Sequence, residues 1–174
     1  MARSPAAADP FARVAAPHDH GRCLDAALDR AEQACKASGA RLTPIRRRVL
    51  ELIWGDHKPV GAYDLLGKLA EEGWGSAPPL VYRALSFLES HGLVHRLTSI
   101  NAFVGCSLGG EAHAAQFLIC RDCGVAVELR DERLARDLAA AADEAGFLLE
   151  APVVEIAGRC RACAHADATG AAAR

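Results

Sequence analysis

Cys120 and Cys123, followed by Cys160 and Cys163, form two Cys-x-x-Cys pairs. A pair at that spacing sits on one tight turn and aims both sulfurs at one point. Four such thiolates meet the needs of a tetrahedral Zn²⁺ ion, and soft sulfur suits zinc. Gly124 and Gly158 stand beside the pairs in ICRDCG and GRCRAC, where they supply backbone freedom. The pairs are 36 residues apart, more than the roughly 15–20 of a compact zinc ribbon. The site must therefore clamp a sub-structure rather than one hairpin. Disulfides or a redox Cys-x-x-Cys are the alternatives. A redox motif, however, needs one pair, set in a βαβ pattern that this sequence lacks. Four protein thiolates leave no open coordination position, which marks the site as structural.

His95, Cys106, His113 and Glu128 are a second group of zinc-competent residues. Two imidazoles, a thiolate and a carboxylate suffice for another tetrahedral ion. Taken singly, each has an ordinary reading: a surface or capped histidine, a cysteine acting as a small hydrophobe, a solvated strand glutamate. His18 and His20 flank Asp19 within a stretch that reads as a disordered tail. His57, His91 and His165 read as exposed, His91 at a helix C-terminus where the dipole suits it. Cys23 and Cys35 read as buried on the first helix.

The elements that must position these groups follow from periodicity. Residues 1–20 are rich in Ala and Pro and read as a tail. Leu24, Ala27, Leu28, Ala31, Ala34 and Cys35 have helical spacing over Arg22 to Ala37, and Gly39 ends that helix. Thr43-Pro44 reads as N-cap and first helical residue, with Ile45, Val49, Leu52 and Ile53 on one face and Arg46, Arg47 and Arg48 largely outside it. A third helix spans Ala62 to Glu72, with Leu65, Leu66 and Leu69 inward. Ser76-Ala-Pro-Pro opens a fourth, whose stripe is Leu80, Ala84, Leu85 and Leu88. Val94 to Leu97 and Ala102 to Cys106 then read as two strands around a turn at Ser99 to Asn101. Helices followed at once by a hairpin form the winged-helix pattern. Beyond SLGGE, at 107–111, lie strands at Gln116 to Ile119 and Val125 to Leu129. A charged, Ala-rich helix from Glu132 to Ala145 and a β-rich stretch from Phe147 to Ile156 follow. The expected fold class is α+β. A winged helix-turn-helix domain occupies 21–106, a hinge 107–111, a small α/β dimerisation domain with the four-Cys zinc site 112–165, and a tail 166–174.

Hydrophobic residues make up 51% of the chain and aromatic residues only 5%, so the core is built from Leu, Val and Ala. No apolar run reaches the roughly 18 residues of a membrane helix, and the prolines near the start argue against a secretory signal. Seven cysteines, an odd number, fit metal-bound thiolates in a reducing cytoplasm better than a disulfide framework. Net charge is −2, but residues 1–100 carry 13 Lys+Arg against 11 Asp+Glu and residues 101–174 carry 7 against 11. Any nucleic-acid contact belongs to the first part. A recognition helix reads bases with its N-terminal residues, here Leu80, Tyr82 and Arg83. Arg83 is the candidate for a bidentate contact to guanine; a phosphate contact or a surface salt bridge is its alternative. Tyr82 and Tyr63 could meet DNA or belong to the core. Arg46 to Arg48 could touch the DNA backbone or form a solvated face.

The stretches RLTPIRRRVL, AYDLL, PPLVYRALSFLESHGLVHR, HAAQFLICRDCG and the final CRAC together resemble the Fur family of bacterial metal-sensing repressors, and within it the zinc-sensing branch. The resemblance covers residues 22–165. It implies an N-terminal winged-helix DNA-binding domain, a C-terminal dimerisation domain and a cytoplasmic homodimer on double-stranded operator DNA with an inverted repeat. It places His95, Cys106, His113 and Glu128 at regulatory zinc ligand positions, giving two zinc ions per subunit, and Tyr63 and Arg83 at DNA-contacting positions. The implied function is a zinc-responsive repressor of zinc uptake and homeostasis genes, not an enzyme. Iron- and peroxide-sensing relatives typically carry a His-rich run before the first Cys pair. Here EAHAAQFLIC holds a single histidine, and a thiolate at Cys106 favours zinc over Fe²⁺.

Two other classes fit the sequence less well. A zinc-dependent deaminase pairs H-x-E with P-C-x-x-C, and neither His113-Ala-Ala nor Ile119-Cys120 fits. No H-E-x-x-H helix is present. A passive zinc-ribbon interaction module would not need the winged-helix order of the first hundred residues.

Overall fold

A computed structural model describes Phe11 and residues 20–55, 58–109, 113–150 and 152–168. The expectations for His18, Asp19, His57, most of the 1–20 tail, residues 110–111 of the hinge and residues 169–174 lie outside these, as does the side chain of His20. The chain forms two compact units, one over Asp19–Ala112 and another that contains His113–Arg174.

The first unit is a helical cluster closed by a small sheet. Helix α1, His20–Ala37, buries Ala27, Leu28, Ala31 and Cys35 at three- and four-residue spacing, while Cys23 stays half-exposed. Helix α2, Pro44–Trp54, follows an extended Thr43 that makes no side-chain cap. Pro44 alone sets the helix start, since its fixed φ suits that position and its missing N–H costs nothing there. The buried face of α2 is Val49, Leu50 and Ile53; Leu50 takes the place expected for Leu52, which is half-buried. Strand β1, Val60–Gly61, leads into α3, Ala62–Glu71, where Asp64 reaches back to the Gly61 N–H. Helix α4, Pro78–Ser90, buries Val81, Ala84, Leu85 and Leu88, with Val81 inward where Leu80 was expected. Val81 and Leu80 are equally apolar. The direction from which α2 and α3 pack therefore decides which of them turns in.

Strand β2, Val94–Leu97, and strand β3, Ala102–Gly105, pair in antiparallel register, Val94 opposite Gly105 and Leu97 opposite Ala102. A single 3-10 turn, Thr98–Ile100, joins them, and Asn101 takes a left-handed φ of 48°, which its short amide side chain tolerates. β1 adds to the other edge of β3, so the wing is a three-stranded sheet ordered β1-β3-β2. Two residues are too short to show strand periodicity, and β1 has no sequence signal. The core of this unit is one cluster of fifteen buried residues running from Leu28 to Phe103.

The second unit is built on strand β4, Ala115–Cys120, which pairs antiparallel with β5, Ala126–Leu129, and parallel with β6, Val153–Gly158. A parallel partner demands a long crossover, supplied by helix α5, Glu132–Glu144. Its first turn is capped by the Asp131 carboxylate, which accepts from the N–H groups of Arg133 and Leu134. As the central strand, β4 is buried almost throughout, including Gln116, whose Nε2 donates to the Asp131 carbonyl. The β-rich stretch expected from Phe147 becomes strand only at Val153, which lies opposite Ala115, the first residue of β4. Phe147 and Leu148 stand 65% and 81% exposed outside the sheet. Helix α6, Arg161–Ala168, corrects the tail expected from residue 166. No described helix is long and apolar enough to cross a membrane.

Candidate metal centres and nucleic-acid interface

The four-Cys group sits where β4 and β6 end side by side. Cys120 is the last residue of β4, in register with Gly158 of β6, and the chain then turns through residues 121–124. The Gly124 N–H donates to the Cys120 carbonyl at 3.0 Å, and the Cys120 N–H donates to Val125 at 2.9 Å. Gly124 takes φ 71°, a conformation that costs glycine nothing. Gly158 by contrast is ordinary strand, and Arg121 N–H donates to its carbonyl at 2.8 Å. Cys160 precedes α6 and Cys163 lies in its first turn. Arg159 pairs with Asp122 and ties one Cys turn to the other.

All four sulfurs lie within 4.8 Å of one another, and Cys123 Sγ and Cys160 Sγ are 4.0 Å apart. Tetrahedral ligands at a Zn–S distance of about 2.3 Å stand about 3.8 Å apart, so the donor set fits the ion closely. Cys120, Cys123 and Cys163 differ in how readily they ionise. Burial opposes ionisation of Cys120, but backbone N–H groups of Cys123, Cys160 and Asp122 outweigh it and bring the thiol down to about 6. Cys163 is pushed up to about 12, chiefly by its hydrogen bond to Cys160, and lost hydration at the sulfur raises Cys123 although the residue as a whole is exposed. Cys120 thus ionises readily, while Cys123 and Cys163 give up their protons when a cation neutralises the cluster.

The second ligand group divides between the two units. In the first, His95 lies on β2 opposite Val104, and Cys106 follows β3, 2% exposed, its N–H donating to the Leu93 carbonyl at 3.0 Å. A ring nitrogen of His95 comes within 4.8 Å of Cys106 Sγ. Gly105 holds the strand end against the Trp54 ring: a Cβ there would fall 2.3 Å from the indole. In the second unit Glu128 lies on β5 and its Oε1 is 2.9 Å from His113 Nε2. Each unit thus holds one pair of zinc-competent ligands.

On the helical face of the first unit, Tyr63 and Tyr82 are 73% and 46% exposed and belong to no core. Arg83 is exposed beside Tyr82, and among the described residues no carboxylate pairs with it. Arg47 and Arg48 are engaged within the protein. Arg47 bonds Glu32 at 2.7 Å and Glu51 at 3.2 Å, and Arg48 bonds Glu51 at 2.8 Å and grips both oxygens of Glu72. That grip holds the Glu72 carboxyl below its ordinary value. Sequence reasoning missed these partners, which lie up to 24 residues away. His91 caps α4 half-buried rather than exposed, stacking on Phe87 with ring centroids 4.0 Å apart and its Nδ1 2.8 Å from the Phe87 carbonyl. His165 is exposed. Burial pushes the Cys35 thiol up, as befits a core residue.

The sequence model of the Ferric uptake regulator family matches residues 37–157, well over half of the chain. The chain belongs to that family. Within it, the zinc uptake regulation protein of Escherichia coli (strain K12) is 38% identical over 142 residues, covering 81% of this chain and 83% of its own. Two solved structures are similar over nearly their whole length. The crystal structure of holo XcZur is 44% identical, covers 82% of this chain and 99% of that chain, and superposes with a TM-score of 0.72. A zinc uptake regulator complexed with zinc and DNA is 35% identical, covers 87% and 99%, and has a TM-score of 0.77.

Proposed function

We propose that this family member is a zinc-responsive transcriptional repressor that binds operator DNA as a homodimer and controls genes of zinc uptake and homeostasis. The observation that carries the reading is the four-thiolate cluster of Cys120, Cys123, Cys160 and Cys163, joined to a winged helix. The high similarity to zinc uptake regulators supports zinc over iron.

The four cysteines are assigned a structural role, since their donor set is complete and all four lie in one unit. His95 with Cys106, and His113 with Glu128, are assigned to a regulatory zinc, which makes two ions per subunit. When bound, zinc supplies the charge that two half-sets of ligands on opposite sides of residues 107–111 would otherwise lack. The two pairs then bias the chain toward a DNA-competent arrangement by binding better in that arrangement, which is a population shift. In that state Tyr63, Tyr82 and Arg83 face the duplex, with α4 in the major groove. Linkage requires operator DNA to tighten metal binding by the same factor that metal tightens DNA binding.

A zinc titration followed by operator binding tests this. The wild-type protein is expected to bind an inverted-repeat operator only when zinc is loaded. Cys106→Ala is expected to keep the fold, the dimer and the four-Cys zinc while losing zinc-dependent DNA binding. Zinc affinity unchanged by operator DNA would overturn the switch, and zinc-independent binding would overturn the regulatory assignment.

A further inference from the structure

We infer that Arg46, held by Phe87, forms with Tyr82, Arg83 and Ser86 a notch that takes a phosphodiester of the DNA backbone. The inference rests on the DNA-binding reading above and adds to it a site made by two helices. Pro79, Tyr82, Arg83 and Ser86 recur at helical spacing along one exposed face of α4. Arg46 of α2 closes the edge of that face, and these five residues line a single open notch.

Three neighbouring arginines offer themselves in RRR, and their surroundings separate them. Arg47 and Arg48 spend their guanidinium groups on Glu32, Glu51 and Glu72. Arg46 has no carboxylate partner among the described residues. It donates one N–H, from Nη1, to the Arg41 carbonyl at 2.6 Å, and its guanidinium carbon lies 3.5 Å from the centre of the Phe87 ring. Stacking on an aromatic face fixes the plane of the fork without consuming its hydrogen bonds. The remaining N–H donors and the full positive charge are left for an anion. Arg83, whose fork is kept for the base contact, adds positive charge at the edge of the notch, and the hydroxyls of Tyr82 and Ser86 add neutral donors. Two cations with hydroxyl donors and no carboxylate make a phosphate site. The continuity of the notch with the residues assigned to base contact makes the DNA backbone its occupant. Phe87 is accordingly a positioning residue, acting through Arg46.

The test compares salt dependence of operator binding by the zinc-loaded full-length protein and its variants. Each phosphate contact contributes about 0.9 to the slope of log K against log salt, so a two-fold dimer carrying Arg46→Gln should lose about 1.8. Between 50 and 200 mM salt the wild-type protein then loses about twelvefold more affinity than the variant. Affinity should fall by one factor on every single-base operator variant, because a phosphate contact carries no sequence information. Arg47→Gln and Arg48→Gln should leave the slope unchanged. Phe87→Leu should weaken binding in the Arg46 background and add little to Arg46→Gln, since a positioning residue is coupled to the group it positions.

A wild-type slope in Arg46→Gln overturns the inference, as does a changed preference at one base position, which would make Arg46 a base reader. Full additivity of the Phe87 and Arg46 substitutions overturns the positioning role. If the zinc-loaded wild-type protein binds no DNA, the functional reading falls and this inference with it; if it binds and only the Arg46 result fails, the functional reading stands.

Discussion

Replacing Cys123 by Ser isolates the contribution of the four-Cys site to folding. Cys123 is the exposed member of the four, so exchanging sulfur for oxygen opens no cavity and its effect reports on metal binding. The surrounding unit has little else to rely on. From His113 onward, the described large apolar side chains that are buried are Phe117, Ile119 and Val127, and α5 contributes none. At roughly 1.5–3 kcal/mol each, their burial supplies roughly 5–9 kcal/mol. A structural zinc contributes on the order of 10 kcal/mol, all of it expressed as folding free energy. Removing one thiolate therefore takes away the larger stabilising term of this unit. The unit Asp19–Ala112, with its cluster of fifteen buried residues, should remain folded. Hydrogen exchange read by mass spectrometry on the full-length chain distinguishes the two. Cys123→Ser should lose one zinc and most protection across β4, β5 and β6, while α2 and α4 stay protected. Cys23→Ser, half-exposed in the other unit, should change neither. Native protection of β4 and β6 in a zinc-free Cys123→Ser protein would refute the reasoning.

Other outcomes follow from single contacts. Gly105→Ala drives a methyl into the Trp54 ring and should cost about 1–3 kcal/mol by overpacking, measured as a lower denaturant midpoint of the first unit with a blue or red shift in Trp emission. Asp131→Ala should fray the first turn of α5, while Asp131→Asn keeps an acceptor there, read by helical circular dichroism. The N–H groups of Leu134 and Arg133 hold the Asp131 carboxyl below its ordinary value. That stabilisation is therefore present above the usual aspartate range and is lost as pH falls through the depressed native value. Arg83→Ala should cost roughly 1–3 kcal/mol on the correct operator and relax preference at one position per half-site; a uniform loss on all sequences would move base readout elsewhere on α4.

The amino-acid sequence by itself determined the local chemistry. Two Cys-x-x-Cys turns, helix starts at Thr43-Pro44 and Ala77-Pro78, and two short strands around Asn101 are set by neighbours a few residues apart, where steric and turn rules act directly. What only the tertiary structure decided are the choices between local equals. Val81 rather than Leu80, and Leu50 rather than Leu52, face inward because helices pack from particular directions. β1 and the start of β6 exist where β3 and β4 offer backbone partners, so Val60 is strand and Phe147 is not. Arg46, Arg47 and Arg48 are indistinguishable as a run of charge. Glu32 and Glu72, brought from 15 and 24 residues away, occupy two of them and leave the third to Phe87. Hydrogen bonds and ion pairs are short-ranged, so their partners are known only once the chain has been folded back on itself.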